Sequence, residues 1–522
     1  MRTLRLIAVA GAIALTSGCQ DFLDVNQNPN APGPDVLPAN LYLPPMIHWM
    51  VTGPQFDGRF TGRIAQEWYP PTTGTPGVWD RHGYDRTSDN AGEIWRDTYW
   101  MFGHNLIDMM NKAEAEERWD VLGVGHVLKA HGWHTATVQH GEIIIKEAFN
   151  TEKVTFTYDS QEFAYQEVRR HLNEAITLLQ KADGNVDASY LARGDRMYNG
   201  DRTKWLKLAY GYLALNLNHF TNKATYDPAA VIAAVNNSFT SNADDALLTY
   251  PATQNDDTNF WGRTRGNLNT LRQTEFILEL MNGTQFGGVV DPRMTRMLAP
   301  APDGQYRGLD PKIANGGIAT ALQPNNLHGY AGSGGTGQPG RYIFDDRAAV
   351  PVMTYAQLQF VKAEAALRMG NNTLALEAYR NGINAHIDFV NARNAAIPAG
   401  SATQITTAER AAFLASPAIV PAQLTLSHIL SQKYIAQWGW GHPELWMDLR
   451  RYHYTDMDPV SGTQVFRGFE LPTSYDADNN GKPAYRLRPR YNSEYVWNTR
   501  GLEPVGGTLP DYMTKLMWIT ER

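Results

Sequence analysis

Residues 355–390 read YAQLQFVKAEAALRMGNNTLALEAYRNGINAHIDFV, and this stretch decides the fold. Small residues stand at Ala363, Ala366, Gly370, Ala375 and Gly382, with Tyr379 among them, at the spacings of a tetratricopeptide unit. Such a unit is two antiparallel helices, and small side chains let their backbones approach closely. The pattern predicts a helix pair over 355–391.

Working outward, three more pairs follow from apolar periodicity. Ile94, Trp95, Thr98, Tyr99 and Phe102 lead one helix and residues 122–148 supply its partner, giving a pair over about 91–149. Val168, Leu172, Ala175, Ile176 and Leu179 form a stripe, preceded by Asp159 as expected N-cap with Glu162 three residues on. Its partner carries Trp205, Leu208, Ala209, Tyr212, Leu213 and Leu217, which completes a pair over 159–221. A fourth spans 424–452. The expected fold class is therefore mainly α: four tetratricopeptide-like helix pairs stacked as a right-handed array, with long irregular loops. Residues 240–350, rich in Gly, Pro, Asn and aromatics, are too long for a simple connection and are the expected ligand region.

The N-terminus bounds the compartment. Arg2 and Arg5 precede an apolar run from Leu6 to Leu15, too short to span a bilayer, and Thr16-Ser17-Gly18 are small. This is a secretion signal over 1–18 that ends at Cys19, the only cysteine, which therefore has no partner for an internal disulfide. A lone cysteine at that point is similar to a bacterial lipobox, so Cys19 is the expected lipid attachment site. Residues 19–45, crowded with Asn, Pro and Asp, read as a tether, and 46–522 as a single helical domain. With 46 basic and 53 acidic residues the net charge is -7, which excludes the basic footprint of a nucleic-acid binder.

Chemical motifs are sparse. Gly335-Thr336-Gly337-Gln338-Pro339-Gly340 matches a dinucleotide fingerprint, but no strand precedes it and Pro339 interrupts it, so it reads as a loop. Nucleophile elbows, Walker loops and zinc-protease helices are missing from the sequence. His126, His131, His134 and His140 share one helix, a set more often satisfied by neighbours than by metal. Asp476, Asp478 and Asn480 supply half of a calcium loop, with Leu487 where the bidentate Glu belongs. Calcium is thus a weak expectation beside an ordinary turn, and no cofactor is required. Glu67 with Asp80 or Asp97 is a conceivable hydrolytic pair. Glu444, Asp448, Arg450 and Arg451, beside Trp446, fit ion pairs between helices better than catalysis. Rings next to polar residues in loops are the expected ligand platform: Trp68, Tyr69, Trp79, Arg81 and Tyr84 in one region, Phe260, Trp261 and Arg263 in another, with Tyr306 and Tyr330 nearby.

Taken in order, these features resemble the RagB/SusD family of nutrient-binding lipoproteins. The resemblance rests on Cys19-Gln20-Asp21-Phe22-Leu23-Asp24-Val25-Asn26 with Asn28-Pro29-Asn30; on Tyr158 to Glu162; and on Tyr198-Asn199-Gly200-Asp201 with Lys204-Trp205. Further along it rests on Asp291-Pro292-Arg293, on Tyr355-Ala356-Gln357 through Ala365, and on Gln432-Lys433-Tyr434 followed by Glu444 to Asp448 and Arg450-Arg451. It covers essentially the whole mature chain. The resemblance implies a lipid anchor on the outer face of the outer membrane, with Asp21 and Asp24 as surface-export signal. It also implies a TonB-dependent barrel as partner, a glycan or peptide ligand, a hinged-lid action and no catalysis. The alternatives are a surface glycoside hydrolase on a helical scaffold and a scaffold protein that binds no solute.

Overall fold

The computed structural model describes residues 37–331, 341–395 and 404–522. Cys19, the signal and most of the tether lie outside the described residues, as does the glycine motif at 335–340.

The first helix, α1 (Leu43–Ile64), begins inside the segment expected to be tether. Pro44 and Pro45 do not prevent it, because first-turn amides have no intrahelical acceptor and proline forfeits nothing there. Met46, Ile47, Met50 and Val51 form its buried face. Next come α2 (Gly103–Ala115) and α3 (Trp119–His140), then α4 (Gln161–Gln180) and α5 (Arg202–Asn218). The short α6 (Pro228–Asn236) is followed, after the loop-rich region, by α7 (Tyr355–Arg368) and α8 (Asn372–Ala395). The last pair is α9 (Leu426–Gln437) with α10 (His442–Arg451). The four expected pairs are thus present. Each packs on the next, α6 bridges α5 to α7, and α1 touches both α3 and α10.

The α7–α8 pair justifies its small residues. A methyl group at Gly382 would sit 2.8 Å from the Phe360 ring, so only glycine allows this approach. One expectation needs correction. Ser160, not Asp159, caps α4, its hydroxyl accepting from the Phe163 amide at 3.2 Å. Asp159 instead accepts from the amides of Ile145 and Lys146, both at 2.9 Å, and ties the preceding loop to the helix start.

The loop-rich region is less loop-like than its composition suggests. Strand β1 (Trp68–Tyr69) pairs antiparallel with β3 (Arg272–Gln273), and β2 (Ala246–Leu248) with β4 (Val350–Met353). These two ribbons fasten it to the helices, and Leu268, Phe276, Tyr342 and Phe344 from within it are buried.

Ion pairs hold helix to helix as expected at α10. Arg451 meets Glu364 of α7 at 2.9 Å and Asp448 at 2.6 Å, while Lys433 of α9 reaches Asp448 at 2.7 Å. All four groups are buried, so each charge depends on its partners. Arg450 lies 3.8 Å over the Trp446 ring.

Candidate functional site

Between α1 and α2 the chain forms a short turn, Glu93–Arg96, and then a π-helical stretch, Asp97–Phe102. π-Helical turns are strained and recur at functional sites. Two features of α1 hold this one. The Asp57 carboxylate accepts from the amides of Glu93 and Ile94 at 2.9 Å each, which caps the turn, and from Gln139 Nε2 at 2.8 Å. Gly53 lets Asp97 press against α1, since a Cβ there would lie 1.5 Å from the Asp97 carboxylate. Burial raises Asp57 to about 7, against the three donors that pull it down, and lifts Asp97 well above the carboxylate range.

The π-helical stretch shapes a cleft of about 350 Å3. Trp95 and Tyr99 line one side with ring centres 4.7 Å apart, and Trp100 stands at the mouth with 71% of its surface open. The 144–156 loop supplies Phe149 and Phe156 opposite, fastened because the Tyr99 hydroxyl donates to the Ile144 carbonyl at 2.7 Å and accepts from its amide at 2.9 Å. The third wall is Arg490 to Glu494, from a second π-helical segment, Tyr491–Tyr495. Polar tips come from Arg96, His104, Asn150, Lys153 and Arg490. Glu494 accepts from Tyr158 at 2.7 Å and Asn498 at 2.8 Å, and burial raises its carboxyl above the ordinary value. The 491–495 segment also contributes Tyr491 and Tyr495 to a second hollow of about 220 Å3, lined besides by Tyr84, Arg86 and Arg488.

Most of the expected platform residues are elsewhere. Trp68, Tyr69 and Trp261 are 0% exposed, and Trp79 and Phe260 nearly so. Trp68 packs 5.3 Å from Trp261 and donates to the Gly58 carbonyl at 3.1 Å. These five rings are core, a correction to their expected role, because no face is left for a solute. Arg81 donates to the Pro76 carbonyl and pairs with Asp476 at 3.2 Å. Arg263 pairs with Asp345 at 3.4 Å, and the half-buried Tyr306 donates to the Thr295 carbonyl. Tyr330 is half-buried in a turn where its amide donates to Asn326. Only Tyr84 of the ten lines either hollow described above.

The calcium-like loop has its carboxylates engaged. Asp476 faces Arg81 and caps the Ala477–Asn479 turn, Asp478 pairs with Arg86, and Asn480 is left-handed at φ 51°. Two guanidinium groups stand where an ion would bring its charge. The conceivable hydrolytic carboxylates are closed to a substrate: Glu67 accepts from His442 at 2.7 Å and the Gly439 amide at 2.8 Å, Asp80 accepts from Arg63, and Asp97, the first residue of the π-helical stretch, is buried against α1 with its oxygens unpartnered.

Trp100 had a signal in the sequence. Tyr99 and Trp100 are adjacent on a helix, so their side chains diverge by roughly 100° and cannot share one apolar stripe. One of the two had to face outward.

A family profile described as "Starch-binding associating with outer membrane", SusD-like, matches residues 42–473. No curated protein sequence matches the chain. Among solved structures the chain is similar to a SusD homologue of Bacteroides fragilis, with TM-score 0.70, 20% identity, and 93% of this chain and 100% of that one covered. A SusD/RagB family protein of Bacteroides thetaiotaomicron gives 0.69 at 19% identity over 93% and 99%. A chitin-binding SusD homologue of Flavobacterium johnsoniae gives 0.66 at 21% identity over 92% and 98%. The helix order, the pairing and the span of the family match together make this chain a member of the SusD-like family.

Proposed function

We propose that this protein is a cell-surface lipoprotein, anchored through Cys19, that captures oligosaccharide in the cleft walled by Trp95, Tyr99 and Trp100. It then passes the ligand to a TonB-dependent barrel over which it closes as a hinged lid. The carrying observation is the cleft itself: five aromatic rings around about 350 Å3, fringed by Arg, Asn and Lys tips and fronted by an open indole. Sugar rings offer an apolar face to stack and hydroxyls to bind, which is the pairing such a lining serves. The family description names starch, and the F. johnsoniae relative binds chitin, which supports a glycan over a peptide.

The hydrolase alternative finds little support in this cleft. Glycoside hydrolysis ordinarily needs two carboxyl groups flanking the bond, roughly 5–9.5 Å apart, whereas among the described residues Glu494 is the single carboxylate lining the cleft. The test is affinity electrophoresis and calorimetry of the mature protein against starch, chitin and other oligosaccharides and a peptide mixture, with product analysis after long incubation. Saturable binding without cleavage is expected. Reducing-end release, or binding of peptides alone, would overturn the proposal.

A further inference from the structure

We propose that His134, His219 and Glu444 form a site for one transition-metal ion of the zinc class. The three come from different helix pairs: His134 from α3, His219 from the turn that ends α5, and Glu444 from α10. Their ligating atoms all lie within 4.8 Å of one another, the one such grouping among the described residues. The Glu444 carboxylate sits between the imidazoles, 2.7 Å from His134 Nε2 and 3.0 Å from His219 Nε2. Two imidazoles and a carboxylate suit zinc, whereas calcium and magnesium prefer oxygen alone. Tetrahedral bonds of 2.0–2.2 Å set ligand atoms roughly 3.3 Å apart. The carboxylate needs to retreat from each ring by a few tenths of an ångström, and the two imidazole nitrogens, within 4.8 Å of each other, need to converge by up to about 1.5 Å.

The surroundings prepare for an ion. His219 Nδ1 lies 2.9 Å from the Tyr165 hydroxyl, the outer-shell partner that a metal-bound histidine needs. His134 and Glu444 border a cavity of about 40 Å3, room enough for a water at the remaining position. His134 Nδ1 and Gln357 Oε1, on residues lining the same cavity, are buried without partners. Without metal, each ring donates an Nε2 proton to the carboxylate. With metal, each ring gives up its Nε2 proton and keeps one on Nδ1, where His219 donates to Tyr165 and His134 faces the cavity that Gln357 also lines. Each ring keeps one proton and the carboxylate keeps its charge, so binding needs no co-reactant.

The test uses untagged mature protein stripped by chelator and titrated with zinc against a chromophoric competitor. One zinc per chain is expected, with a rise in the thermal midpoint. Tyr165→Phe should weaken binding roughly ten- to hundredfold, and His134→Gln or Glu444→Gln should abolish it. Cobalt(II) should give the strong visible bands of a four-coordinate site in the wild-type protein, a readout independent of whether the variants fold. Wild-type protein that takes up no zinc, a pale six-coordinate cobalt spectrum, or equal uptake by the folded Glu444→Gln variant would each overturn the proposal.

Discussion

Replacing Trp100 by alanine separates ligand capture from stability, because the side chain has little to lose in the free protein. A tryptophan offers on the order of 200 Å2 of surface, and 71% of Trp100 is open, leaving roughly 140 Å2. A sugar stacked on one face covers about half of that, roughly 70 Å2. At about 25 cal/mol per Å2 the contact contributes roughly 1.8 kcal/mol, or about 20-fold in Kd. Calorimetry with the tightest-binding oligosaccharide should therefore show a 10- to 50-fold loss for Trp100→Ala. The unfolding free energy should move by no more than about 0.5 kcal/mol, the range for exposed substitutions. Unchanged affinity would remove Trp100 from the ligand face and with it the cleft from the proposed function. A large loss of stability would show that the indole packs where 71% exposure says it does not.

The other expectations concern the body of the protein. Trp68→Ala and Trp261→Ala, at fully buried positions, should each lower stability by about 3–5 kcal/mol in denaturant titrations; near-neutral unfolding would contradict their place in the core. The pH dependence should carry the mark of Asp57. Its folded value, about 7, lies above its ordinary 3.8. The unfolded chain therefore gives up the proton first, and stability falls by up to about 4 kcal/mol as pH rises from about 4 to 7, then levels. Asp57→Asn should flatten that slope, and an identical slope in the variant would count against the buried carboxyl as its source. Adding calcium, or chelating it, should leave the thermal midpoint unmoved, because Arg81 and Arg86 hold the two loop carboxylates. A calcium-dependent rise abolished by Asp478→Asn would refute this.

Three outcomes tie the sequence to the fold. Helix pairing was legible because burial of an apolar stripe is a local property with a 3.6-residue period, and because glycine and alanine at positions such as Gly382 announce close backbone approach. Capping was legible to within one residue, the difference between Asp159 and Ser160 being whether a carboxylate serves its own helix or the neighbouring loop. The helix at Leu43–Ile64 escaped notice because prolines read as breakers in a string and as tolerated first-turn residues in a helix.

From the sequence alone came the helical class, the four pairs, the family and the expectation of a secreted, acylated chain, all of which depend on periodicity and motif order. Which rings face solvent depended on tertiary structure. Trp68 and Trp100 are both tryptophans next to a tyrosine, yet one is sealed against Trp261 and the other fronts a cleft. The same holds for His134, His219 and Glu444, which are separated by 85 and 225 positions in the chain and meet only because α3, α5 and α10 converge. Exposure and convergence are set by what packs from distant segments, and that information is absent from any local window of residues.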